Sequence, residues 1–208
     1  MDINSRETST KIFIGIGTAF VAIILWQYYS LRNPSTYSLR LAQQRELKDR
    51  QFRNAPDSPI PSVERTRFAG LNYFAIDESY ISSTTLVPAE KQDTLILMTS
   101  VGSIQKMIRK GKLQFELQGI PQELVAYQNL DESVNQLFVP FRDLTTNVST
   151  YGGGRYLDIP QEEELKIDFN QAYNPYCVYN PDFVCPLPPP ENYLSLEILA
   201  GERMPEGG

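Results

Sequence analysis

From residue 63 to residue 202 the chain is cut into short runs that suit strands and are too closely spaced for helices. They read FAGLNYFAI, SYISSTTLV, DTLILMTS, KLQFELQG, ELVAYQNL, NQLFVPF, RYLDI, ELKIDF and LSLEIL. Apolar residues alternate with polar ones at Leu113, Phe115 and Leu117, and again at Leu165, Ile167 and Phe169. That is the period of a strand with one buried face. Turn signals fall between the runs at Gly102, Lys110-Gly111, Gly119-Ile120-Pro121 and Asp131-Glu132-Ser133. Short strands joined by tight turns pair with their neighbours in antiparallel fashion. The expected architecture is therefore a mainly β, antiparallel, barrel-like or sandwich domain over 63–202.

The N-terminal part has a different pattern. Residues 12–31, IFIGIGTAFVAIILWQYYSL, carry no charge, and twenty helical residues reach ~30 Å, the thickness of a bilayer hydrocarbon core. Trp26, Tyr28 and Tyr29 stand at the end of this run, where amphipathic rings favour the headgroup region. The bulky residues that follow it lack the small-x-small pattern of a cleavage site. The expectation is one retained transmembrane helix at 12–31, preceded by a tail at 1–11, with the lipid bilayer as partner. After Pro34, residues 35–53 read as a juxtamembrane helix capped by Ser35 or Thr36, and NAPDSPIPS at 54–62 is a proline-rich connector. Arg32, Arg40, Arg45, Lys48 and Arg50 outnumber Arg6 and Lys11, and counted literally these bases put the domain in the cytoplasm. If 35–53 is a folded helix, its bases serve the fold, and large domains translocate largely regardless of charge. The domain is accordingly expected on the extracytoplasmic side of a bacterial membrane.

Composition excludes several function classes. Acidic residues outnumber basic ones 25 to 19, giving a net charge of -6, so the chain lacks the basic face that nucleic acid requires. It contains no histidine, which removes Ser-His-Asp and Cys-His catalysis and imidazole metal ligands. With two cysteines and no histidine, no metal site is expected.

Unusual residue types concentrate between Tyr151 and Asn192. In Tyr151-Gly152-Gly153-Gly154-Arg155-Tyr156 the glycines allow backbone amides to turn toward an anion, with Arg155 as a clamp. The competing reading is a tight hairpin loop that places Arg155 in a salt bridge with Asp143 or Asp158. Asp168 and Asn170 lie two residues apart on one strand face, followed by Tyr173 and Asn174. With Tyr151, Arg155, Tyr156, Glu191 and Asn192 they form a candidate pocket, although short polar side chains in this position also bond commonly to nearby backbone. Cys177 and Cys185 can close a nine-residue loop, which the chain-entropy treatment values at about 2.6 kcal/mol. That disulfide is expected in an exported domain, and buried thiols in a cytoplasmic one.

These stretches resemble a bacterial family catalogued as domain of unknown function 1684. The resemblance rests on Arg45-Glu-Leu-Lys-Asp, SPIP at 58–61, GLNYF at 70–74, TSVG at 99–102, LFVPFRD at 137–143, TYGGGRY at 150–156, DFNQAYNPYC at 168–177, CPLPPPEN at 185–192 and AGE at 200–202. It implies a compact β-rich domain and assigns no reaction. The expected function is a membrane-anchored binding or accessory module, serving as a subunit or scaffold of a membrane-protein complex, with no cofactor. The alternative is a small-molecule or flavin-binding enzyme that uses Arg155, Asp168 and Glu191, flavin entering on architectural analogy with split barrels.

Overall fold

The computed structural model describes residues 21–23, 35–91, 94–130 and 135–205. The expected span at 12–31 lies outside the described residues except for Val21, Ala22 and Ile23, which are helical and exposed, and the tail at 1–11 lies outside them entirely. Among the described residues no helix is long and apolar enough to cross a membrane. Two compact units separate, Met1–Gln44 and Arg45–Gly208.

Helix α1 runs Thr36–Asn54. Ser35 caps it by accepting the Ser38 amide at 3.0 Å. From Arg45 onward the helix belongs to the second unit, whose start is therefore earlier than residue 63. Arg45, Lys48, Asp49 and Phe52 recur every three or four residues, so they share one helix face. Arg45 donates to the carbonyls of Phe74 (2.9 Å) and Asn170 (3.2 Å). Asp49 accepts the Leu71 amide at 3.0 Å, and buried Phe52 stacks near Phe68 and meets Tyr179 edge-on.

Among the described residues the second unit is built on seven strands: β1 (Ile81–Pro88), β2 (Thr94–Met98), β3 (Ile104–Leu117), β4 (Ile120–Asn129), β5 (Gln136–Phe141), β6 (Arg155–Pro160) and β7 (Lys166–Asp168). They form an antiparallel, nearly closed, barrel-like sheet in the order β6-β5-β4-β3-β1-β7, with β2 also paired to β3. Its two ends approach where Tyr156 of β6 and Tyr173, just beyond β7, exchange backbone hydrogen bonds of 2.9 and 3.0 Å. Gln118 and Gly119, both at positive φ (54° and 76°), make the two-residue turn from β3 to β4. This is the turn whose twist suits a hairpin.

The Lys110-Gly111 pair, read above as a turn, lies inside β3. The register with β4 shifts there, Arg109 facing Tyr127 and Gly111 facing Ala126. A one-residue bulge exchanges the faces of everything beyond it. Met107 consequently belongs to a small outer cluster with Leu97, Val125 and Tyr127, whereas Leu113 and Phe115 enter the main core with Leu124, Ala126, Val139 and Leu157. Gly111 has φ +152°, and a Cβ there would come 2.1 Å from the Val87 carbonyl oxygen. The glycine is needed for close approach of β1.

Two runs expected to be strands pair differently. FAGLNYFAI contributes only the bridge of Tyr73 to Glu202. In LSLEIL the burial alternates as a strand's would, with Leu194, Leu196, Ile198 and Ala200 buried and the residues between them exposed. Its carbonyls at Ile198, Ala200 and Glu202, however, accept from the guanidinium of Arg155. The start of this segment pairs with 142–144 through backbone bonds of Leu194 to Arg142 (2.8 Å) and Leu144 to Leu196 (3.2 Å), and beyond it a side chain takes over.

Candidate functional site

The outer face of the sheet carries a row of side chains: Gln105 and Met107 on β3, Asn129 on β4, Gln136 and Phe138 on β5, and Tyr156 and Asp158 on β6. Register aligns them, with Met107 opposite Asn129, Tyr127 opposite Phe138, and Phe138 opposite Asp158. The segment 173–186 crosses this row and borders an open cavity of about 440 Å³, completed by Tyr173, Pro175, Tyr176, Phe183, Val184, Cys185 and Pro186. That volume falls in the range of small-molecule sites.

Backbone pairing fixes both ends of the covering segment. At the start Tyr173 is paired to Tyr156. At the finish Ser100 donates its amide to the Cys185 carbonyl at 2.8 Å, Cys185 donates to Ser100 Oγ at 3.3 Å, and the Tyr156 hydroxyl donates to the Pro186 carbonyl. Between them a turn at Tyr176–Val178 and the Asp182 amide donating to Asn180 Oδ1 (2.9 Å) keep the chain compact.

Five of the fourteen lining residues are aromatic, and polar and apolar surface share the lining about evenly. Tyr173 donates its hydroxyl to Asp158 Oδ2 at 2.8 Å. Both tyrosine hydroxyls are thus committed, and the rings serve as walls, Phe138 to Tyr156 at 4.8 Å and Tyr156 to Tyr173 at 5.7 Å, each edge to face. Asp158 is exposed by area but crowded by protein; this burial pushes its carboxyl upward, while the Tyr173 hydroxyl and Lys48 pull it down. The side-chain amides of Gln105, Asn129 and Gln136 make no hydrogen bond to described residues. No Lys or Arg occurs among the lining residues, so a flavin nucleotide would find no cationic clamp for its phosphate. Lys48 sits behind the wall, 4.9 Å from the Tyr173 ring centre and 2.7 Å from Glu202.

Of the nine residues expected to form a pocket, the cavity takes two, Tyr156 and Tyr173. Arg155 is 1% exposed. It donates to Asp143 Oδ2 at 2.6 Å and to three carbonyls, so the anion-binding reading is replaced by the salt-bridge reading, with Asp143 as partner. Burial pulls the guanidinium's affinity for its proton down, and Asp143 pushes it back up. Glu191 does not join it. It is an exposed residue whose carboxylate lies 3.5 Å from Arg109. Asp168 and Asn170 do converge, in a structural role: Asn170 accepts the Asp77 amide (2.9 Å), donates to the Asp77 carbonyl (2.8 Å) and to Asp168 (3.1 Å). Asn192, fully buried, clamps the backbone of Val125 through both its amide atoms and donates to Pro140. Asn174 donates to the carbonyl of Arg203 and, through its backbone, to Glu202. Tyr151 directs its hydroxyl at Cys177.

Sequence reasoning missed Asp158, Phe138, Met107 and the three amides. The signal for Gln136, Phe138 and Asp158 was present in NQLFVPF and RYLDI, where alternate residues leave the core face, but only the register reveals that those outward positions form one row with Gln105, Met107 and Asn129. It also missed Glu202, a buried carboxylate that accepts from Lys48, the Asn174 amide and the Tyr179 hydroxyl.

A family model matches residues 66–203. The chain belongs to the family described as Protein of unknown function (DUF1684). No curated protein matches this DUF1684 chain. It is similar to an uncharacterized protein from gene locus rrnAC0354 of Haloarcula marismortui, solved by solution NMR, at 37% identity and a TM-score of 0.66, over 83% of this chain and 96% of that one. That relative is archaeal, so the DUF1684 fold is not confined to bacteria.

Proposed function

We propose that this DUF1684 chain is a membrane-anchored binding module that holds a small, uncharged or cationic organic molecule between the outer face of its sheet and the segment 173–186. Residues 12–31 fix it to the membrane with the domain on the extracytoplasmic side, where it acts as an accessory subunit. The cavity of about 440 Å³ carries the reading. Aromatic rings form part of its walls, its polar groups include three unengaged amides and one carboxylate, and no Lys or Arg is among the lining residues. An anionic ligand would meet Asp158 unopposed, whereas a cation gains from both the carboxylate and the ring faces. Binding is favoured over general acid–base catalysis because Asp158 is the sole carboxylate among the lining residues and the chain has no histidine to pair with it.

The test uses the full chain in mild detergent. Native mass spectrometry and thermal melting against aromatic amines and neutral heterocycles should find a ligand that raises Tm by mass action. Gln105→Trp, which adds bulk at the cavity without touching the core, should abolish the ligand-induced rise and keep the ligand-free Tm. Asp158→Asn should weaken cationic ligands more than neutral ones. Absence of any ligand, or unchanged binding by Gln105→Trp, defeats the proposal.

A further inference from the structure

The cysteines differ in exposure while touching one another. Cys177 sits in the turn Tyr176–Val178 and is partly exposed, whereas Cys185 is 7% exposed at the cavity wall. Both are free thiols, and the Cys177 amide donates to Cys185 Sγ at 3.3 Å. The Tyr151 hydroxyl lies 3.9 Å from Cys177 Sγ. Cys185 is fixed from the other side by its two backbone bonds to Ser100. One sulfur is thus reachable and the other is held behind it, the arrangement of an attacking thiol with a resolving partner.

We propose that Cys177 and Cys185 form a dithiol–disulfide exchange site, with Cys177 attacking small organic disulfides and Cys185 resolving the adduct. The Cys177 thiolate attacks one sulfur of RS–SR. The S–S bond breaks, one RS⁻ leaves and takes a proton from water, and a mixed disulfide remains on Cys177. Cys185 then gives its proton to solvent and attacks Cys177 Sγ, expelling the second RS⁻. The net change oxidises two protein thiols to one disulfide and reduces RS–SR to two RSH. Hydrogen bonds from Cys185 and Tyr151 hold the Cys177 thiol below the ordinary range, and Cys177 pushes that of Cys185 up. The groups facing Cys177 are thus Cys185, Tyr151 and Ser100. The bridge would close residues 178–184, which bring Phe183 and Val184 to the cavity, so exchange fixes the wall of the proposed ligand site. The exchange itself does not depend on that site having a ligand.

The experiment treats the full, reduced chain in mild detergent with oxidised glutathione and follows intact mass. Wild type should lose two hydrogens and retain no adduct. Cys185→Ser should hold one stable glutathione adduct on Cys177, and Cys177→Ser should form little. Independent of variant folding, alkylation of the wild type followed by peptide mass should label Cys177 about tenfold faster than Cys185. Equal labelling of the two thiols overturns the assignment. So does an adduct on Cys177→Ser as fast as on Cys185→Ser. A protein isolated with a bridge that millimolar reduced glutathione does not open is a permanent cross-link and equally defeats exchange.

Discussion

Arg155 illustrates how a residue with the look of a ligand clamp becomes part of the skeleton. A guanidinium is costly to bury unless each face of its donor fork is met. Here Asp143, itself held by the Thr145 amide and hydroxyl, meets one side, and the carbonyls of Ile198, Ala200 and Glu202 meet the other. Arg155→Lys should therefore destabilise the fold by about 2–4 kcal/mol, since an ammonium cannot span carbonyls and carboxylate together. Denaturant titration checks this, and wild-type stability in the variant would contradict it. Cys177 makes a second prediction at this scale. Its alkylation rate should reach half its maximum at a pH below the ~8.5 of a free cysteine, because the hydrogen bonds it accepts favour the thiolate. A profile centred at or above that value would mean those hydrogen bonds do not stabilise the thiolate.

Among the elements, β3 decides the most. Its fourteen residues serve β2 with one half and β1 with the other, and the bulge between the halves turns Met107 outward and Leu113 inward. Without that bulge the cavity would lose Met107 and Gln105, and the core would lose its alternation. Gly111→Ala should cost about 2 kcal/mol or more, because a Cβ would both strain the backbone and meet the Val87 carbonyl. Gly102→Ala is the control: Gly102 also has positive φ but faces open space, so about 1 kcal/mol is expected. Equal melting of the two variants would remove the special role given to the bulge.

At the scale of the molecule, the proposed anchor and the β domain make separate demands. If 12–31 spans the bilayer, carbonate washing of membranes should leave the chain in the pellet, and its release would remove the anchor from the proposed function. The family match covers 66–203 and so bears on the domain alone. Within that domain the second half of α1 is integral: Lys48 reaches Glu202 and lies over the Tyr173 ring, linking the helix to the wall of the cavity.

The sequence by itself determined the strand periodicity, the antiparallel class, the helix after Pro34, the nearness of Cys177 and Cys185, and the absence of histidine chemistry. All of these rest on spacing or composition, which are local. Tertiary structure alone decided what each polar residue does. Lys110-Gly111 carries the chemistry of a turn, yet it became a bulge because β1 passes within reach of its missing Cβ. LSLEIL has the period of a strand, but it pairs with 142–144 only at its start, and Arg155 takes the carbonyls from Ile198 onward. Glu191 stands six residues after Cys185 and still is not part of the cavity lining, pairing with Arg109 instead, whereas Asp158 on β6 enters it through a register set by β5. Which face a side chain occupies follows from its neighbours along the chain; which other side chains share that face depends on pairing across strands that the order of residues does not display.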